Sequence, residues 1–161
     1  MQGDFLQVGG GETISGPIGA QLPAVGTYTE PVSDSSGNLL GRWTRTLSNG
    51  SEISVQAYFD RSYGGHNGVR DWASIGNVDF QHHVSVGTHH DVVWGVGYRA
   101  AANRFVGTET IAMNPPRRTD SLASVFIQDE ISLARSLSLT LGAKLEHNAY
   151  TGHENEPSAQ L

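Results

Sequence analysis

The feature that most constrains this chain is a two-residue alternation of apolar and polar side chains, held over runs longer than the five or six residues, roughly, of an ordinary soluble strand. In Ser51–Asp60 the odd positions after Ser51 are Ile53, Val55, Ala57 and Phe59, and the even ones are Glu52, Ser54, Gln56, Tyr58 and Asp60. Successive strand side chains project to opposite sides, so this run has one apolar and one polar face. The rhythm returns at Val78, Phe80, Val84 and Val86, at Val92, Trp94, Val96 and Tyr98, and at Leu137, Leu139, Leu141, Ala143 and Leu145. Long strands with one greasy and one wet face suit a wall between lipid and water.

Composition agrees with an all-β chain. Charged residues are 16% of the 161, Gly has 20 copies, and helix formers never cluster at three-to-four spacing. No apolar stretch approaches the roughly 18–20 residues of a membrane helix. A mean hydropathy of −0.31 would ordinarily indicate a soluble protein, but such averages are nearly blind to membrane strands, half of whose residues face a polar lumen. The net charge of −6 argues against a nucleic-acid partner, because phosphate neutralisation needs surplus Lys and Arg. With no Cys, disulfides, thiolate catalysis and thiolate metal sites are excluded together. The opening MQGDFLQVGGGE has neither a basic n-region nor an apolar h-region, so no export signal is read there.

The pattern predicts strands at Gln2–Val8, Asn38–Leu47, Glu52–Ser62, Trp72–Val86, Val92–Arg104, Ser121–Leu133 and Leu137–Ala149, with an eighth beginning near Ser158. The connections alternate: Gly9–Gly37, Tyr63–Asp71 and Phe105–Asp120 are long, Ser48–Gly50, Gly87–Asp91 and Ala134–Ser136 are short, and Tyr150–Pro157 is intermediate. Outer-membrane barrels have this asymmetry, with short periplasmic turns and longer extracellular loops. Residues paired across a hairpin must share a face, which tests the short turns. A two-residue Asn49-Gly50 turn would pair Leu47 with Glu52 and fails. A three-residue loop with Gly50 in the left-handed region pairs Leu47 with Ser51 and passes. By the same reasoning Leu133 pairs with Leu137 and Val86 with Val92. Arg45 and Asp129 are the two charges assigned outward parity, both near short turns, where the cost of a lipid-side Arg falls to about 0–1 kcal/mol. Phe59 and Trp72 fit an aromatic girdle, whereas Phe105 and Tyr150 have the wrong parity. Both ends of the chain look severed, and seven or eight strands with unpaired edges are expected to be an open piece of a larger barrel.

Three stretches resemble TonB-dependent receptors: GNLLGRWTRTLSNGSEISVQAYFDR (Gly37–Arg61), DFQHHVSVGTHHDVVWGVGYR (Asp79–Arg99) and Arg117–Leu161. The most specific parts are FIQDEISL (Phe126–Leu133), LTLGAKLEHN (Leu139–Asn148) and EPSAQL (Glu156–Leu161), which are similar to consecutive strands from the middle of such a barrel. The resemblance covers nearly everything beyond the first long loop. It implies an outer-membrane barrel of about 22 strands around a plug. Such a receptor imports siderophores, cobalamin, oligosaccharides or other scarce solutes, driven through the plug by the inner-membrane TonB complex. Nothing in residues 1–161 resembles the plug, the TonB box or a C-terminal strand ending in an aromatic residue, so the whole chain reads as one partial barrel domain that does not transport alone.

No enzymatic, cofactor or metal site is expected. His82-His83 and His89-His90 invite a metal, but strand neighbours point to opposite faces and the second pair falls in a turn. Gly95-Val96-Gly97 lacks the third glycine and the helix of a dinucleotide site, and thins the lumen face instead. No strand-to-helix elbow presents a nucleophilic Ser. Ligand contact is expected from the long loops: Tyr63, His66 and Arg70 in one, Arg117 and Arg118 in another, combine stacking, donor and cationic groups suited to an anionic or polyhydroxylated small solute. Loop charges of this kind also serve as contacts to outer-membrane lipid, in particular lipopolysaccharide phosphates. Glu52, Gln56, Asp79, Arg99, Glu130, Lys144 and Glu146 are expected to form a hydrogen-bonded lumen wall against plug or water. Two alternatives remain at this stage: another outer-membrane barrel, either a porin-like channel or an adhesin, and a soluble all-β binding domain whose apolar face is covered by a second sheet.

Overall fold

In the computed structural model of the chain, the alternating runs are antiparallel strands of a single sheet. The structure describes residues 1–17, 25–66, 68–149 and 152–161. The strands are β1 (Gln2–Pro17), β2 (Val25–Thr46), β3 (Glu52–His66), β4 (Val69–Val86), β5 (His90–Val106), β6 (Arg117–Ala134), β7 (Leu137–Asn148) and β8 (Gly152–Gln160). They pair in chain order from β1 to β8, an up-and-down open sheet with β1 and β8 as its edges.

Registers run unbroken through nearly every ladder, so parity assigns each side chain to a face. One face carries Leu39, Trp43, Val55, Phe59, Val78, Phe80, Trp94, Val96, Tyr98, Val125, Ile127 and Leu145; the other carries Glu52, Gln56, Asp79, Arg99, Glu130, Lys144 and Glu146. Among the described residues no apolar side chain is buried: Trp43 is 53% exposed, Ile127 54% and Tyr98 55%. A sandwich would cover these side chains with a second layer, and none is present among the described residues. On β4 the apolar face runs Val86, Val84, His82, Phe80, Val78, Gly76, and His82 Nδ1 accepts the Trp94 indole N–H at 3.1 Å. That interval spans about 33 Å along the strand, or about 25 Å along a barrel axis at the usual tilt, which matches the apolar band of an outer-membrane barrel.

The turn at Ser48–Gly50 forms as its parity requires. The Leu47 N–H donates to the Ser51 carbonyl at 2.8 Å and Gly50 has φ 83°. The Asn49 carboxamide oxygen accepts from both the backbone N–H and the hydroxyl of Ser51, which is 3% exposed. The other short connections are tighter than expected. Val86 pairs with His90 rather than Val92, leaving a three-residue turn 87–89. The two-residue shift preserves parity, so the faces stay correct while the loop shrinks. At the next hairpin Leu133 is a bulge and Ala134 pairs with Leu137, leaving residues 135–136 as the turn.

Larger corrections fall at the opposite end. The strands continue where long loops were expected: β1 and β2 pair out to Pro17↔Val25, and β3 and β4 to His66↔Val69. The Tyr63–Asp71 connection therefore shrinks to the short span between His66 and Val69, where Gly68 has φ 75° and residue 67 lies outside the described residues. Asn67-Gly68 is a two-residue hairpin signal that the surrounding glycines hid. The loop expected at Phe105–Asp120 is confined to residues 107–116 and closed by the Phe105 N–H on the Pro116 carbonyl at 2.8 Å. β8 begins at Gly152, not near Ser158. Strand continuation costs nothing in hydrophobicity here, because above a lipid band both faces meet water and backbone pairing alone extends the ladder. Residues 18–24 lie outside the described residues, as does Tyr150. Phe105 keeps the wrong parity for a girdle, as read from the sequence.

Candidate functional site

The strand carboxylates keep to one face, whereas the cations divide between the two, with Arg42, Arg99, Arg118 and Lys144 on the polar face. Among the described residues every strand carboxylate except Asp129 lies on the polar face, while Arg45, Arg61, Arg70, Arg104 and Arg117 lie on the apolar side. Arg45 and Asp129 are therefore not the only outward charges; four more arginines sit above the apolar band, toward the long-loop end. Arg61 and Arg104 were readable by parity alone. Arg70 and Arg117 were hidden because their segments were assigned to loops.

The five loop residues expected to meet a ligand divide between the faces. Tyr63 pairs with Trp72, and Arg70 and Arg117 share their parity, so these three stand on the outward face. The Tyr63 and Trp72 rings lie 5.2 Å apart, and the Arg104 guanidinium is 5.0 Å from the Trp72 ring centroid. His66 and Arg118 stand on the polar face. His66 Nε2 is 2.8 Å from Asp34 Oδ1, and the Arg118 Nε–H donates to Asp120 Oδ1 at 2.8 Å.

Side-chain contacts run both across and along the strands of the polar face. The Arg42 Nε–H donates to Gln56 at 3.0 Å, Lys144 Nζ sits 2.6 Å from Glu146, and Asn77 donates to Asp79. Near the short turns Asp91 accepts from Ser85 at 3.0 Å and lies 2.7 Å from His83 Nε2. Gly95 makes room on this face: a Cβ there would meet the Phe80 carbonyl at 2.4 Å and the Phe126 ring at 2.7 Å.

The histidine pairs split as strand geometry demands, His82 toward Trp94 on one face and His83 toward Asp91 on the other. His90 opens β5 instead of lying in the turn, and its Nδ1 is 2.7 Å from Asp129 Oδ2. Sequence reading placed Glu146 on the lumen wall but missed its convergence with Glu154 and Glu156 across β7 and β8, within 4.8 Å. β8 had been started too late to pair them. Lys144 beside Glu146 supplies the countercharge within the protein.

A sheet with a lipid-height apolar band on one side and a hydrogen-bonded acidic wall on the other defines a segment of a transmembrane β-barrel. Residues 17–159 match the family described as TonB dependent receptor-like, beta-barrel, and the chain belongs to that family. Members reside in the outer membrane and are typically transporters rather than enzymes. No curated protein sequence matches the chain. Among solved structures it is similar to the siderophore receptor PirA from Pseudomonas aeruginosa, with TM-score 0.58 and 13% identity over 96% of this chain. PirA from Acinetobacter baumannii gives TM-score 0.57 and 13% identity over 80% of this chain. The chain spans 30% and 22% of those two receptors.

Proposed function

We propose that residues 1–161 are part of the barrel wall of a receptor in a Gram-negative outer membrane that imports a scarce solute, such as a siderophore, cobalamin or an oligosaccharide, under drive from the TonB complex. The observation that carries this reading is the pairing of an uncovered apolar band with an acidic, cross-linked opposite face on strands of one register. Family membership supplies the energised mode of transport, and the likeness to the two PirA structures supports the barrel. Energy coupling runs through a plug that contacts the polar face.

Of the loop residues, His66 and Arg118 are the candidates for solute contact, because they face the lumen at the loop end. Each is matched to a carboxylate, and Asp60 and Asp71 stand on the same face. A wall of this sign favours a neutral, polyhydroxylated solute over a polyanion.

The test is accumulation of labelled cobalamin, a maltooligosaccharide and a ferric hydroxamate by cells expressing the full receptor chain, with and without TonB. Uptake of any one that disappears without TonB supports the reading. Uptake indifferent to TonB replaces it with a passive channel, and recovery of the full chain as a detergent-free monomer removes the membrane altogether.

A further inference from the structure

Adjacent histidines on one strand diverge, but histidines on neighbouring strands can meet, and one pair does. His147 on β7 lies directly opposite His153 on β8, on the side of the sheet that carries Leu145. The ring centroids are 4.4 Å apart, the planes are 37° from parallel, and both residues are exposed. The two are six residues apart, and the sequence places His153 in the connection Tyr150–Pro157. β8 begins instead at Gly152, which sets His153 against His147.

The other five histidines are engaged with different side chains. His66, His83 and His90 stand beside Asp34, Asp91 and Asp129, His82 accepts from Trp94, and His89 meets the Thr88 hydroxyl. Among the described residues no side chain hydrogen-bonds the ring of His147 or His153, and Ala123, Leu145 and Asn155 are their neighbours on the same face.

A neutral imidazole offers one nitrogen lone pair, and two such rings on one face make a pincer for a metal ion. An ion held by both at about 2.0–2.1 Å needs the two nitrogens roughly 3–4 Å apart, a spacing these rings reach by turning about their side-chain bonds. Nitrogen donors with no carboxylate or thiolate on their face select divalent transition ions, copper(II) most tightly, over magnesium or calcium. The pair stands one position below the last rung of the hairpin, Asn148↔Gly152. A chain reversal does not lie exposed in hydrocarbon, where its backbone groups would go unsatisfied, so the rings are about 3.4 Å along the strand from water.

We propose that His147 and His153 form a two-histidine site for copper(II) or a like divalent transition ion, with water in the remaining positions. The ion clamps β7 to β8. Separated strands cannot offer it both rings, so it binds the folded hairpin in preference to the unfolded one. Glu146, Glu154 and Glu156 occupy the opposite face of the same strands and take no part. The site depends on the β7–β8 register and not on what the receptor imports.

The test titrates the full receptor chain, in detergent and stripped with EDTA, with copper(II) chloride. Calorimetry reads the affinity and electron paramagnetic resonance reads the ligands. A copper site with hyperfine structure from two imidazole nitrogens is expected. His147→Gln and His153→Gln each weaken it roughly a hundredfold, because the second ring of a pair binds intramolecularly, and the double variant binds no worse than either single one. Glu154→Gln, on the opposite face, leaves the affinity unchanged, as does millimolar calcium. Heat-modifiable electrophoretic mobility reports folding. Where a variant does not fold, carbethoxylation of the wild-type protein, mapped by mass spectrometry, decides: copper shields His147 and His153 from the reagent. Unchanged affinity in either folded histidine variant, losses that multiply in the double variant, or rings that stay reactive in saturating copper overturn the proposal. Loss of copper on adding calcium, or in Glu154→Gln, also overturns it and moves the ion to the carboxylate face.

Discussion

The two faces of one sheet differ in the sign of their charge as well as in polarity, although they share every backbone atom. Toward the lumen stand carboxylates such as Glu52, Asp79, Glu130 and Glu146, which outnumber the Arg42, Arg99, Arg118 and Lys144 among them; toward lipid stand Arg45, Arg61, Arg70, Arg104 and Arg117, with Asp129 as the single strand carboxylate among the described residues. Arginine's long stem lies along apolar surface while its head reaches the interface, and an anionic headgroup layer attracts it. A carboxylate has a short stem and is repelled there. Asp129 is tolerated beside the short turns, 2.7 Å from the His90 ring. Hydrophobicity therefore sets which face meets lipid, and charge sign sets where along that face the lipid headgroups begin.

The difference between the faces can be broken by moving one charge across it. Val78→Arg, in the middle of the apolar band, is expected to cost about 2–4 kcal/mol, whereas Ser54→Arg on the polar face of the neighbouring strand stays within about 0.5 kcal/mol. Urea titration of the full receptor folding into lipid vesicles measures both, and equal costs would mean that the apolar face does not meet lipid. A smaller effect tests the lumen side. Gly95→Val forces a side chain into the Phe80 carbonyl and the Phe126 ring and is expected to lose about 1–3 kcal/mol, read in the same titration, with Phe126→Ala restoring part of it.

Turn geometry comes next. Gly50→Ala places a Cβ at φ 83° and should cost about 1–2 kcal/mol, while Ser48→Ala, outside the left-handed position, stays nearly silent. The smallest effect belongs to the interfacial pair: Asp129→Asn weakens a part-exposed contact with the His90 ring and is expected to change stability by less than about 1 kcal/mol. A larger loss in that vesicle assay would mean that Asp129 lies deeper in the membrane than its place beside the turn indicates.

Much of this was legible in the chain because a strand's period is two. Ile53, Val55, Ala57 and Phe59 declare a face without reference to any partner, and the parity test correctly chose a three-residue turn at Ser48–Gly50 over the Asn-Gly turn its composition suggests. The same test found Leu133–Leu137 as the register of its ladder but not the bulge that tightens the tip, since a bulge adds a residue without a sequence mark. Val86 was paired two residues too far along because either register keeps the faces intact. The candidate site suffered most. Tyr63, Arg70 and Arg117 read as loop residues because their neighbours are Gly, His, Asn and Pro, yet they stand on strands, on the opposite face from His66 and Arg118.

Alternation by itself determined that this chain forms long, two-faced antiparallel strands and which side chains share each face, because neighbouring strand residues cannot point the same way. Only the tertiary structure decided how far the strands run past the apolar band, and that Arg61, Tyr63, Arg70, Trp72 and Arg104 from three strands form one patch. Strand ends in water are set by backbone pairing with the neighbour, and a patch built across strands depends on register, a relation between distant segments that no local pattern encodes.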